Sequence, residues 1–290
     1  MSIAGSGGVL VGAPGCSPAR YGLLSVAEVE DREETEGHWQ AGFSHDVESC
    51  DELLAMSNDC TPTPDTKVGS LDGVGTEDGD SFTLVAGYKC SLGGRPIEDA
   101  WDFAQRRLDR GTDRGLERVF WTGQDSFGNN IRESLGQNPD VVDLTPVAGA
   151  VAITDGVALL ESWAGENMPC GPIIHAARGI GTYLAERSLI EAEGTQLYAR
   201  GTGSRIAIGG GYLVSGPNGV AAPAGEGWLF VTGGVKILRS PSFFTPPRTP
   251  AGAAVNRAIN DVQVFAERTF GFLIDCGIAA IRVNLKSCCC

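Results

Sequence analysis

The amino-acid sequence predicts an α+β fold, and three observations carry that prediction. Helical and strand-like stretches intermingle without a regular strand–helix–strand repeat, which argues against a doubly wound parallel sheet. One stretch, 97–121, carries a long amphipathic helical pattern. The 41 glycines among 290 residues, about twice the usual ~7% share, are spread along the chain and suit many loops and bends. No internal repeat is visible.

In chain order, residues 1–36 are Gly-rich and then acidic, with Glu28, Glu30, Asp31, Glu33, Glu34 and Glu36 close together. This composition reads as an extended arm, and such an arm is ordered most easily when a neighbouring subunit holds it. Residues 37–92 open with Trp39, Phe43 and Val47 and cross a loop rich in Pro, Asp and Gly from 61 to 80. They return through 81–90, SFTLVAGYKC, whose β-branched and aromatic residues suit a strand. A long polar excursion that returns through a strand reads as a projecting hairpin.

The clearest element follows. Pro96 stands at a helix start, where its missing N–H costs nothing. Ile97, Trp101, Ala104, Leu108, Gly115 and Val119 form one apolar stripe, with a longer step across the middle. A helix over 97–121 would be about 37 Å long. Gly111 and Gly115 each weaken it by up to ~1 kcal/mol relative to Ala, and Thr122-Gly123 supplies the stop. Beyond it the pattern predicts a helix at 155–163 and a buried strand at 171–176 leading into a helix over 178–190. Strands at 205–208, 228–232 and 235–238 come next, then a short helix over 253–266 and a strand-rich close through 272–285.

A net charge of −14 argues against a dedicated nucleic-acid binder, because phosphate affinity comes mainly from Lys and Arg. It leaves room for a container whose wall does not grip its contents. No run approaches the ~18 apolar residues of a membrane-spanning helix, and the N-terminus lacks the basic and apolar regions of a secretory signal. A cytoplasmic site of synthesis is therefore expected. The nine cysteines (Cys16, Cys50, Cys60, Cys90, Cys170, Cys276, Cys288, Cys289 and Cys290) are odd in number and hold no C-x-x-C pair. That fits neither a secreted disulfide framework nor a four-ligand zinc site. The expectation is reduced, mostly buried side chains, with no metal or cofactor. A His45/Cys50/Cys60/Cys90 grouping is the alternative to weigh against it.

The catalytic and nucleotide motifs each fail at a named position. Gly179-Ile-Gly181 follows an apolar strand, but the dinucleotide pattern needs a third glycine where Leu184 stands. Gly201-Thr-Gly203 and Gly209-Gly-Gly211 lack the Lys-Ser/Thr pair of a phosphate loop. His175, at the end of the buried strand, reads as a hydrogen-bonded core histidine, and no G-x-S-x-G elbow is present. No catalytic residue is assigned, which leaves an α+β hydrolase without a candidate site.

The long helix also carries a localised row of positive charge. Arg106, Arg110, Arg114 and Arg118 recur every four residues as a basic stripe, with Arg107 beside it. Asp102, Asp109, Asp113 and Glu117 are near enough to neutralise part of it. The stripe is then either a solvated, internally paired face or a ridge against a neighbouring subunit's acidic surface or packaged DNA.

The order of parts resembles the major capsid protein family of tailed bacteriophages. An acidic arm and a polar hairpin precede the long helix, which ends in Glu117-Arg-Val-Phe-Trp-Thr-Gly123 before a Gly-containing loop at 124–130. That ending resembles the family's spine helix. Ile173-Ile-His-Ala176 with its following helix, Gly203-Ser-Arg-Ile-Ala-Ile-Gly-Gly-Gly-Tyr212, the 228–237 segment and Cys276-Gly-Ile-Ala-Ala-Ile-Arg-Val283 resemble its later units. The resemblance covers about 60–285 and implies the Hong Kong ninety-seven type fold. It implies an arm at 1–36, an extended loop region at 37–92 and a peripheral domain at 93–150. A mainly axial domain at 151–235 and return strands at 236–290 would complete the chain. It also implies a subunit that assembles as hexamers and pentamers into the DNA-enclosing head of a virion built in a bacterial cytoplasm. Scaffolding, cement or portal proteins are the partners it brings. Encapsulin shells share the fold, and a minor head, connector or tail protein is the other virion role.

Overall fold

The computed structural model describes residues 20–33, 39–47, 75–91, 98–248, 255–256 and 261–285. Its strands are β1 (Glu28–Asp31), β2 (Phe43–Val47), β3 (Gly75–Gly79), β4 (Ser81–Ser91), β5 (Val142–Asp143), β6 (Val151–Ala152), β7 (Ile173–Ala177) and β8 (Ile190–Glu193). They continue with β9 (Gln196–Ala199), β10 (Arg205–Gly209), β11 (Glu226–Thr232), β12 (Val235–Arg239), β13 (Phe243–Thr245), β14 (Val255–Asn256), β15 (Asp261–Ile274) and β16 (Ile278–Asn284). Three α-helices are interspersed: α1 (Glu98–Thr122), α2 (Ile153–Asn167) and α3 (Arg178–Glu186).

Two large sheets organise these elements. In the six-stranded sheet, β15 is the spine: β12, β13, β14 and β4 all pair with it, and β1 adds to β12 at the edge. β4 runs antiparallel to β15 along its whole length, from Ser81 opposite Gly271 to Ser91 opposite Asp261. The eight-stranded sheet has the order β5-β16-β11-β7-β10-β9-β8, with β6 also on β16. Its parallel β7–β10 pair sits beside antiparallel neighbours, a mixture that matches the predicted α+β class. β2 and β3 form a separate antiparallel ladder, so the polar excursion returns through 75–79, where a loop was expected, while 81–91 pairs with β15 instead; residues 48–74 lie outside the described residues.

The helix α1 joins the two sheets. Near its start Trp101, Ala104 and Leu108 bury against Val264 and Ala266 of β15. At its end Phe120 and Trp121 enter the core of the other sheet, where Trp121 meets Phe230 edge-on at 4.9 Å and Tyr212 at 4.8 Å. The gap in the predicted apolar stripe is filled by Thr112, which is buried because its hydroxyl donates to the carbonyl of Leu108. Gly123 ends the helix at φ +64, and a Cβ there would stand 2.4 Å from Ser134 Oγ, so the stop needs glycine both sterically and conformationally. Ile97 and Pro96 lie outside the described residues.

Four expectations are corrected. The predicted helix over 253–266 is contradicted by the described residues of that range, which form β14 and the start of β15. The four-residue spacing of Ala254, Ala258, Val262 and Ala266 suits a helix. The period-two burial of Val264 and Ala266 around half-buried Phe265, together with a full-length β4 partner, decides for the strand. The predicted helix 178–190 stops at Glu186, with Ser188 at positive φ before β8 begins. The acidic arm is also held within its own chain at 28–31, where β1 runs parallel to β12. There Lys236 lies 3.3 Å from Glu28 and 3.4 Å from Glu30, and Arg239 lies 2.7 Å from Asp31. The cysteine expectation fails at Cys170, which is exposed, and at Cys276, which is disulfide-bonded in the β15–β16 turn.

Candidate functional site

The outward face of α1 carries the predicted stripe: Arg106, Arg110, Arg114 and Arg118 are all exposed. The opposite face is the buried one, because Trp101, Ala104, Leu108, Thr112, Leu116 and Val119 recur at three- and four-residue spacing. Arg106 rests over the ring of Phe103 at 4.5 Å, and Arg107 donates to the Gly87 carbonyl on β4 at 2.6 Å.

Three of the four acids expected to neutralise the stripe have partners outside it. Asp102 pairs with Arg248 at 2.9 Å. Asp109 accepts from Gln105 at 2.9 Å and lies 3.8 Å from Arg268 of β15. Glu117 is 3% exposed and turns inward. Its two carboxylate oxygens accept the backbone N–H groups of Leu23, at 3.1 Å, and Gly211, at 2.8 Å. Burial pushes its carboxyl above the usual range, against the pull of those two donors. A Cβ on Gly211 would stand 2.3 Å from the Arg114 carbonyl, so glycine is what lets the 209–212 turn reach this helix. Glu117 thus fastens two distant segments to α1, a role that its position among alternating charges does not reveal.

The residues considered for catalysis are structural. His175 is fully buried, with Nε2 2.9 Å from Thr232 Oγ1 and Nδ1 3.1 Å from the Tyr212 hydroxyl. Thr232 gives its own proton to the Gly233 carbonyl at 3.0 Å, so it accepts from Nε2–H and Nδ1 accepts from Tyr212. Burial, with Arg205 nearby, holds the imidazole pKa down at about 3. The ring is therefore neutral and saturated, as a core histidine should be. Gly181 faces Ile208, where a Cβ would stand 2.6 Å from its Cδ1, so it serves close helix–strand packing, while Gly179 faces open space.

Of the possible metal-binding group His45, Cys50, Cys60 and Cys90, Cys50 and Cys60 lie outside the described residues. His45 instead meets Glu77 and Glu133, two residues that sequence spacing does not connect: one donor atom from each lies within 4.8 Å of the others. Glu133 is 4% exposed, and burial, reinforced by Glu77, raises its carboxyl pKa to about 7.

No family model and no curated protein matches the sequence. Solved structures do match, across nearly the whole chain. A structure described as the capsid of an empty GTA particle shares a TM-score of 0.58 at 14% identity, covering 96% of this chain and 95% of its own. A chain of Gordonia phage Cozz gives 0.53 at 13% identity over 96% and 90%. The capsid of Ralstonia phage GP4 gives 0.51 at 8% identity over 97% and 96%. The chain has the capsid fold. It is the Hong Kong ninety-seven type expected from the order of arm, hairpin and long helix, and the likeness takes in both large sheets. No helix among the described residues of this capsid-fold chain is long and apolar enough to cross a membrane.

Proposed function

We propose that the chain is a structural subunit of a bacteriophage head shell and does no catalysis. The likeness to the GTA capsid over 96% of this chain and 95% of that one carries this reading, since the shared fold runs through both large sheets. The proposed peripheral part is α1 with the six-stranded sheet, and the proposed axial part is the eight-stranded sheet. β16 pairs with β11 in the latter, so the axial part takes in 278–284 from the proposed return strands. The shell closes through many weak contacts made multivalent by symmetry, assembles in a bacterial cytoplasm and encloses DNA.

In this reading Arg106, Arg110, Arg114 and Arg118 meet acidic surface on a neighbouring subunit. A net charge of −14 puts such surface on every copy, and complementary patches favour specific encounter over general affinity. Scaffolding, cement and portal proteins are the further partners of such a subunit. Sedimentation velocity of the purified protein tests the proposal. Particles of hundreds of subunits support it, and a uniform 30 kDa species at assembly concentrations rules it out.

A further inference from the structure

We propose that His45, Glu77 and Glu133 form a divalent transition-metal site, of the class that takes Zn²⁺, at the base of the β2–β3 hairpin. His45 and Glu77 are direct partners across the two strands, and Glu133 comes from the loop after α1. Their donor atoms converge within 4.8 Å of one another. One imidazole nitrogen and two carboxylate oxygens are ligand types that Zn²⁺ accepts, at bond lengths of about 2.0–2.2 Å. A tetrahedral arrangement at those lengths separates its ligands by roughly 3.4 Å. Side-chain rotation thus has to close at most about 1.4 Å to complete the site.

Two observations separate this cluster from ordinary surface acids. Glu133 is 4% exposed, yet among the described residues its carboxylate accepts a single hydrogen bond, from the Ile274 N–H at 3.3 Å. No lysine or arginine among the described residues pairs with it; the adjacent Arg132 turns to Asp80 instead, at 3.8 Å. His45 Nδ1, for its part, is buried with no hydrogen-bond partner among the described residues. A buried carboxylate with one weak donor and a buried ring nitrogen with no partner are both costly, and a cation held between the two residues would relieve both. Glu77, Asp80 and Asp140 add negative field around Glu133, and a dication held by two carboxylates and a neutral imidazole leaves the site neutral. The bound ion would rivet three segments far apart in sequence, fixing the hairpin base against the chain that leaves α1.

The site is complete within one chain, so its test reads the same whether or not shells form. Full-length protein, stripped with a chelator, is titrated with ZnCl₂ by calorimetry beside Glu77→Gln and His45→Gln variants. Glu77 is exposed, so its variant folds even if the other does not. Cysteine thiolates also take zinc, which makes the difference between proteins the informative quantity. The expected result is one zinc equivalent per chain that weakens at least tenfold in Glu77→Gln, and a zinc-dependent rise in melting temperature that this variant loses. Equal zinc stoichiometry and affinity in the unmodified protein and Glu77→Gln would overturn the assignment.

Discussion

The two large sheets solve different problems with the same secondary structure. Every residue of β7 is buried, as are six of seven in β11 and five of seven in β16. Together with Trp121 and the His175 network, they make an interior with no face left for water. In the six-stranded sheet, β4 buries Phe82 and leaves Thr83, Val85 and Lys89 exposed. Its edge strand β1 is held by ion pairs in which Glu28 and Asp31 remain largely exposed. The first sheet resists perturbation through packing of its central strands, although its edge strands β5 and β8 are exposed. The second keeps exposed, charged backbone edges, which blunt indiscriminate pairing and leave surface for chosen partners. Substitutions of similar size should therefore act on stability in one region and on association in the other.

The largest expected effect is in the buried sheet. Phe230→Ala removes a fully buried ring packed against Trp121 and should cost about 3–5 kcal/mol, read by urea denaturation of the unassembled subunit. A loss below about 1 kcal/mol would mean that the two sheets do not differ as described.

Acid should attack the same region. His175 has a folded pKa of about 3, below the ordinary 6.5, so between those values the unfolded chain binds its proton more readily. The stability this group contributes is complete above pH 6.5 and is lost as pH falls toward 3, at up to about 1.4 kcal/mol per pH unit. A His175→Gln variant should lose that component of the slope in denaturation curves taken from pH 7 to 4.

Glu117→Gln is the intermediate case, at the junction of the two regions. Gln keeps one acceptor and sets an amide N–H against either Leu23 or Gly211, leaving a buried donor unmatched at about 1–3 kcal/mol. The Leu23 and Gly211 amides should then exchange faster with deuterium.

The smallest effect on stability belongs to the stripe. Arg110→Glu with Arg114→Glu should change subunit stability by less than about 0.5 kcal/mol, as exposed substitutions do, while impairing assembly. Normal particles from this double variant would remove the stripe from the contact surface.

Many of the individual elements are readable from residue order. The helix predicted at 97–121 is observed at Glu98–Thr122, because a long stripe of apolar residues fixes both its type and its buried face. The strands at 81–90, 205–208, 228–232 and 235–238 also appear, within two residues. The short strands β5, β6, β8, β9 and β13 escaped notice, since two to four residues carry too little periodicity to register. The four-residue spacing of Ala254, Ala258, Val262 and Ala266 fits a helix, and only pairing with distant β4 settles 261–266 as strand. Glu117 looked like one more charge beside arginines, and its inward turn depends on Leu23 and Gly211, each 94 residues away. His45, Glu77 and Glu133 meet only through hairpin register and the turn after α1, which no local pattern encodes.

Negative-stain microscopy of the purified full-length protein is the most direct test of the central claim that this is a shell subunit. Closed particles with icosahedral outline are the predicted result. A field of single rings, tubes or uniform small monomers would contradict it.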